Sequence, residues 1–564
     1  LSRSQHQPWR RSDAWSLGLL AASFLASRLI WLAANPSSTG YWEESYRWLV
    51  AHDLLHAPQL PFLEYQADHY QGGSLVMAVL VVPCFLLFGE TTLAFKIPAL
   101  LISLGTLAML YVIGRSFFDR ATALLACISF LAGPPLVAYM GLVVMGSHGE
   151  SVLFSLVQVF ILLSLLEERW TGPWGWALLG VVSGLGLWFC YTTAFSLAAC
   201  GIAWVVFRGL PRPRDLLAAV GGGLAGLVPW LVYNLRYDFR GIERLREVFG
   251  YGNPIDPWPT EGALRKLGSL LTHDLPEAAI EPFAGTLPRP VAIALMIAFA
   301  APVCALLSLA AARMIRIAWG ALRAGRDDAA LREWRSCRAE GVFLSYLAVF
   351  VVVFAASEFA LEPMRRPHGY RLLMPPLVFA ALPLAAAALR AIGRRGFARG
   401  LALAGCAAWL LASGIGTVAL MRRTPDPNQT LSADRGYPVL GLLLHRKYED
   451  ELPRAFAVAA SITDPLARAQ AWRGIGWGME YRFEKDGTLD DFRAEIDETP
   501  EASRGQLLIG SHYFTRVNIN QLSEWVSLPG AAGERYRRTL ERLRLLDGFL
   551  VDERTRYPVP GEGG

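Results

Sequence analysis

Four polar stretches beside apolar runs carry the residues of this chain that could do chemistry. The first, "YWEESYRWLVAHDLL", holds the adjacent carboxylates Glu43 and Glu44 among Tyr41, Trp42, Tyr46 and Trp48. A positioned carboxylate can take the proton of an attacking hydroxyl; the same residues also suit a solvated juxtamembrane helix with interfacial aromatics. The second, "GLVVMGSHGESVLF", sets His148 and Glu150 two apart immediately before an apolar run. That pair can orient and deprotonate a hydroxyl, or Glu150 can serve the positive end of the helix that follows. In the third, "EYQADHYQGGSL", Asp68 and His69 precede two glycines, where backbone could approach a phosphate at a helix N-terminus. A solvated loop is the alternative. The fourth, "LEPMRRPHGYRLLMPPL", concentrates Arg365, Arg366, His368 and Arg371, with Tyr370 between the last two. An anionic ligand such as a lipid-linked phosphate would account for that charge, as would lipid headgroups. Lys96 and Arg28 lie within apolar segments and could snorkel to the interface.

The elements that must position these groups are membrane helices. The chain has 564 residues, 53% hydrophobic and 18% charged, with a mean hydropathy of +0.33, too apolar for an ordinary soluble protein of that length. Apolar segments recur at 14–34, 94–113, 122–140, 151–166, 174–192, 194–207, 216–233, 288–312, 341–357, 372–389 and 401–421. Most approach the roughly 20 residues needed to span a bilayer. The expected fold is mainly α: a polytopic membrane protein of about eleven spans. Segment 75–88, short and broken by Pro83, is read as an interfacial helix. Segment 14–34 sits where a signal peptide would, but its length, Arg28 and the spans that follow favour an uncleaved first span.

Orientation follows the arginines. With the N-terminus cytoplasmic, Arg115, Arg120, Arg169, Arg208, the arginine-rich 313–338 loop and Arg390 to Arg399 all fall inside. Loops 35–93, 141–150, 234–287 and 358–371 are then external, as is everything after about 424. The net charge of +5 is explained by topology, so no nucleic-acid partner is indicated. Six of the seven cysteines lie in apolar runs and Cys337 in a cytoplasmic loop, without metal-ligand spacing. At about 424 a Pro/Asn/Asp linker opens a second domain, 424–564, soluble and helical by its apolar periodicity. Within it "GQLLIGSHYFTRV" echoes "AWRGIGWGMEYRF", hinting at a repeated helical hairpin.

Over residues 14–421 the arrangement resembles the polytopic GT-C glycosyltransferases, the class that includes protein O-mannosyltransferases and the lipid A aminoarabinose transferase. "YWEESYRWLVAHDLL" stands where that class has an acidic pair after the first span. The run "GGSLVMAVLVVPCFLLFGETTLAFKIPALL" is similar to its juxtamembrane helix, FG turn and basic residue before Pro; "GSHGESVLF" to its second external loop; "GLVPWLVYNLRYDF" to a later span end; and "YRLLMPPL" to its RYLLP segment. The resemblance places Glu43 and Glu44 on the acidic pair, Glu150 on the second-loop acid, Lys96 on the basic residue and Arg371 on the arginine of RYLLP. The chain departs from the class in three ways: Glu replaces the usual first-loop Asp, Leu372 replaces the Tyr of RYLLP, and the His/Lys-Pro opening of the juxtamembrane helix is missing, with His69 one turn early.

The resemblance implies transfer of a sugar from a polyprenyl-phosphate carrier to a hydroxyl acceptor on the extracytoplasmic face. Glu43 or Glu44 would be the base, with Glu150 a second acidic position. Arg371, His368 and Lys96 would bind donor phosphate, and His148, His69, Asp68 and Tyr370 substrate. No cofactor is required, though a divalent cation (Mg2+ or Mn2+) is open. The expected partners are the lipid-linked donor, membrane lipids and a glycan, lipid or protein acceptor; the expected location is a bacterial inner membrane. A flippase for a lipid-linked saccharide is the rival reading, and a non-catalytic scaffold the third. A transporter would place charges at mid-membrane in repeated halves, whereas here nearly all lie at one face.

Overall fold

The computed structural model describes residues 9–34, 43–243, 267–268, 288–324, 333–334, 336–356, 369–393, 396–422, 431–485, 487–525 and 531–559. Among them no strand occurs. The helices, numbered here in chain order, are α1 Arg11–Ala34, α2 Glu44–His56, α3 Gly73–Phe88, α4 Thr92–Phe117, α5 Arg120–Ala132, α6 Pro135–Met140, α7 His148–Leu166, α8 Pro173–Phe189, α9 Thr193–Arg208, α10 Pro213–Gly226 and α11 Val228–Arg236. They continue with α12 Arg289–Ala324, α13 Arg338–Ala356, α14 Met374–Ile392, α15 Phe397–Met421, α16 Ala433–Lys447, α17 Leu452–Ala460, α18 Pro465–Lys485, α19 Leu489–Glu498, α20 Glu501–Trp525 and α21 Ala531–Arg556. Short 3-10 turns cover Phe62–Tyr65 and Gly369–Leu373.

Each of the apolar segments read from the sequence coincides with a helix or helix pair, so the polytopic helical fold holds. Among the described residues seven helices are long and apolar enough to cross a membrane, and α10 with α11, bent by 55° at their break, makes an eighth if it is one span. Helices α5, α8 and α9 are apolar but only 13, 17 and 16 residues long. Local chemistry shortens them. Asp119 caps α5 by accepting from the Thr122 N–H, and Gly133, at φ +48°, ends it. A break at Cys190–Thr192 separates α8 from α9.

The chain divides into two compact units. One comprises Leu1–Gly40, Lys96–Tyr251 and Trp258–Pro427. Its closest helix pair is α8 with α10, where a Cβ on Gly180, Gly184, Gly222 or Gly226 would lie 2.0–2.3 Å from a carbonyl oxygen of the facing helix. Small residues four apart let backbones touch, the packing mode membrane helices use in place of a hydrophobic driving force. Ion pairs tie the helix ends. Buried Asp13 of α1 accepts from Arg115 of α4 at 3.1 Å and from the Tyr111 hydroxyl at 3.3 Å. Glu340 of α13 bridges Arg313 of α12 and Arg390 of α14, each at 2.5 Å.

The other unit comprises Tyr41–Phe95, Gly252–Pro257 and Asn428–Gly564. The first-loop segment thus shares a core with the C-terminal domain: Tyr46, Leu49 and Val50 of α2 belong to one cluster with Leu440 and Leu444 of α16, Ile475 of α18, Leu507 of α20 and Leu543 of α21. A Cβ at Gly436 would sit 2.5 Å from the Ser45 carbonyl, which is how α16 lies against α2. On α18, Gly474 faces Pro438 of α16 and Gly476 faces Leu507 of α20, both with backbone oxygen 2.0 Å from a Cβ position. Gly510 of α20 meets Arg473 of α18 in the same way. The glycine echo seen in the sequence is therefore two successive close helix pairs.

Candidate functional site

In the first unit the second-loop and late-loop residues converge. Ser147 caps α7 in a capping box whose reciprocal partner is Glu150. Buried Glu150 accepts from the backbone N–H groups of Met145 at 2.7 Å, Gly146 at 2.9 Å and Ser147 at 3.2 Å. Both carboxylate oxygens are engaged, so the capping role that the sequence left open is present. The His148 ring lies 3.2 Å from the Thr192 hydroxyl and 3.5 Å from the Cys190 sulfur, edge-on to Tyr191. A Cβ on Gly149 would meet the Met374 sulfur at 3.0 Å, so the start of α7 abuts the start of α14. Arg371, in the 3-10 turn leading into α14, acts electrostatically on both His148 and Cys190. A half-buried cation thus lies within electrostatic reach of an imidazole and its hydroxyl partner. Tyr370 shares the turn with Arg371, Lys96 is fully buried in α4, and His368, with Arg365 and Arg366, lies outside the described residues.

In the second unit the first-loop acids meet the C-terminal domain. Glu43 precedes α2, its carbonyl taking a 2.7 Å bond from Arg47 and its carboxylate lying 3.5 Å from the same guanidinium. Glu44, in the first turn of α2, is completely buried. Arg446 at the end of α16 is solvent-accessible. The protein packed around its guanidinium would by itself lower its pKa, accessible as the residue is, but Tyr481, Asp68, Tyr70 and Glu43 raise it overall. Next to it, Lys447 donates to Glu64 at 3.2 Å and to the Gln66 carbonyl at 3.3 Å, and Tyr448 donates to Glu64 at 2.9 Å. Burial lowers the Lys447 pKa against the opposing pull of Glu64. His69 is buried, its Nε2 2.7 Å from the Lys447 carbonyl and its ring edge-on to Tyr448. Asp68 accepts from Gln71 at 3.1 Å. Farther along α2, Asp53 accepts from the Tyr65 and Tyr437 hydroxyls at 2.7 and 2.9 Å; burial raises its pKa and those two bonds oppose the rise.

Each unit therefore gathers part of what the sequence nominated: His148, Glu150 and Arg371 in one, Glu43, Asp68 and His69 in the other. The sequence reading missed Thr192 and Cys190, which lie in a run read as a single span; the clue was the non-helical "FCYTT". It also missed Arg446, Lys447 and Glu64, charged residues hundreds of positions apart that nothing local pairs.

Residues 74–233 match the family described as dolichyl-phosphate-mannose-protein mannosyltransferase. No curated protein matches the chain. Among solved structures, ArnT from Cupriavidus metallidurans bound to undecaprenyl phosphate is 14% identical, with 97% of this chain and 92% of that one covered and a TM-score of 0.42. The apo state of the same protein is 15% identical, with 98% and 90% covered and a TM-score of 0.38. The family match and the motifs of the membrane part agree on a GT-C-like membrane glycosyltransferase.

Proposed function

Taking the family match over residues 74–233 as premise, we propose that the chain moves a sugar from a polyprenyl-phosphate-linked donor to a hydroxyl acceptor on the extracytoplasmic face of a bacterial inner membrane. The observation that carries the reading is the abutment of the start of α7, at Gly149 beside His148, on the start of α14 at Met374, three residues after Arg371. A cation held there suits a departing lipid phosphate, whose charge grows as the glycosidic bond breaks. In the proposed reaction the acceptor oxygen bonds to the anomeric carbon as the carbon–phosphate oxygen bond cleaves, and configuration inverts. Glu43 or Glu44 takes the acceptor proton; the electron pair leaves with the polyprenyl phosphate, which Arg371 binds. His148 and Thr192 orient the sugar hydroxyls. Glu150 holds the backbone of 145–147 in place, a positioning role, and its engaged oxygens leave little capacity for Mg2+ or Mn2+; a cation, if the reaction uses one, is bound elsewhere. The acceptor is a glycan, lipid or protein hydroxyl.

Transfer of radiolabelled sugar from polyprenyl-phosphate donors into membrane extracts tests this, with Glu43→Gln, Glu44→Gln and Arg371→Ala at matched expression. Loss by about 10²–10⁴-fold in one glutamine variant and not in the other identifies the base. Arg371→Ala raises the donor KM. A wild-type chain that transfers nothing from any donor sinks the reading and favours a flippase.

A further inference from the structure

Helix α2 carries two histidines that the proposed transfer does not use. His52 and His56 are four residues apart, which on a helix puts both side chains on one face a turn apart. Their ring centroids are 4.5 Å apart. Between them comes Glu90, from the turn that follows α3. Gly89, at φ +72°, makes that turn, and its N–H bonds the Phe85 carbonyl at 2.9 Å. The Glu90 carboxylate reaches His52 Nδ1 at 2.8 Å and His56 Nε2 at 2.6 Å. All three ligand atoms lie within 4.8 Å of one another. The side chains of His52 and Glu90 are partly buried and His56 is open to solvent.

We propose that His52, His56 and Glu90 form a zinc-type divalent cation site. Two imidazole nitrogens and one carboxylate oxygen are a donor set that Zn2+ accepts tetrahedrally at about 2.0–2.2 Å, which separates neighbouring ligand atoms by about 3.3 Å. The two short spacings run to different oxygens of Glu90, Oε2 to His52 and Oε1 to His56, so one oxygen must turn toward the gap between the two rings as the ligand atoms settle about 3.3 Å apart, a side-chain adjustment on a half-exposed surface. The donors are wrong for Mg2+ or Ca2+, which take oxygen. Three protein ligands leave a fourth position for water on the exposed side of His56. Because α2 begins at Glu44, about 12 Å along the helix from His52 at 1.5 Å per residue, the ion does not touch the first-loop acids. It staples α2 to the α3–α4 turn, and so positions the helix that bears them. The existence of the site does not rest on the proposed transfer.

The test uses the purified full chain in detergent, stripped with chelator and reloaded with Zn2+ or Co2+. Expected are about one zinc per chain by elemental analysis, a visible absorption spectrum of tetrahedral Co2+, and a higher Tm with Zn2+ than with chelator. Removing a ligand should weaken binding beyond the roughly 10–100-fold typical of losing an outer-shell partner. His52→Ala, His56→Ala and Glu90→Gln should each do so while remaining monodisperse. If the wild type binds no zinc, or if zinc and the Co2+ spectrum persist in the His52→Ala/His56→Ala double variant, the trio is only a hydrogen-bonded cluster and the proposal fails. If a single variant is poorly folded, His56→Gln, at the most exposed of the three, supplies the same reading.

Discussion

Glu480 should make the second unit sensitive to pH in a direction opposite to ordinary acid denaturation. It lies on α18, fully buried, with Oε1 accepting from Asn518 at 3.0 Å and Oε2 without a hydrogen-bond partner. Burial, with Glu484 nearby, pushes its pKa from 4.5 up to about 8. The unfolded chain therefore releases this proton near pH 4.5, whereas the folded chain holds it until about pH 8. Between those values unfolding frees a proton, so stability is greatest below pH 4.5 for this group, falls as pH rises through the window, and levels off above about 8. At 1.36 kcal/mol per pKa unit the whole window amounts to roughly 4–5 kcal/mol, an upper bound because relaxation and water entry shrink it. Glu480→Gln keeps the acceptor for Asn518 and removes the titration. Thermal melts of wild type and variant in detergent at a series of pH values from 5 to 9 would show it. The variant should match the wild type at the acidic end and melt higher at the alkaline end, its own profile being flatter. Parallel profiles for the two proteins across the range would refute the assignment of a neutral buried carboxyl.

Other perturbations read the packing. Gly180→Val puts a branched side chain where a Cβ already meets the Ala219 carbonyl at 2.0 Å; α8 and α10 must part, costing more than the roughly 1–3 kcal/mol of ordinary overpacking, visible as reduced folded yield on detergent gel filtration. Tyr437→Phe removes one hydroxyl from Asp53 and should lower the Tm of the second unit by the equivalent of about 1.5–3 kcal/mol, the range for bonds to charged groups. Asp13→Ala strands Arg115 in a buried setting and should cost about 3–5 kcal/mol, read as loss of folded protein at elevated temperature.

The helices were legible because a span must satisfy its own backbone and present apolar side chains for most of its length; hydropathy alone located them. What hydropathy could not show was the exact place of a break: the division after 192 was read, but the turn starts at Cys190, and three residues of turn leave the average unchanged. The carboxylate at 150 was visible but ambiguous: a capping acid and a catalytic acid occupy the same place before a helix, and only the three N–H bonds distinguish them. His52 and His56 stand four apart in the sequence but were not singled out, because their partner Glu90 lies 34 residues beyond His56 in a stretch read as a turn motif. Arg446 and Lys447 were illegible for a further reason. Their partners Asp68 and Glu64 lie far off in the sequence, and complementary charges are too common for any one pairing to stand out.

The shared core of residues 41–95 and the C-terminal domain has an arithmetical consequence for the membrane part. Two segments that fold into one core must lie on the same side of the bilayer, so the chain between α2 and α16 crosses it an even number of times. Helix α3 contributes Leu75 and Ala78 to that core and, as the interfacial helix expected from the sequence, adds no crossing. Of the long spans, six lie between α2 and α16, and the bent pair α10–α11 makes seven, an odd number. Without the bent pair the count is already even; with it as a span, parity is restored if one of α5, α8 and α9 crosses, or if all three do. With all three the total is ten, so helices of 13, 17 and 16 residues would be full crossings through a locally thinned or tightly packed bilayer. Cysteine labelling from each side of the membrane, at the Arg169 and Arg208 loops, would count them.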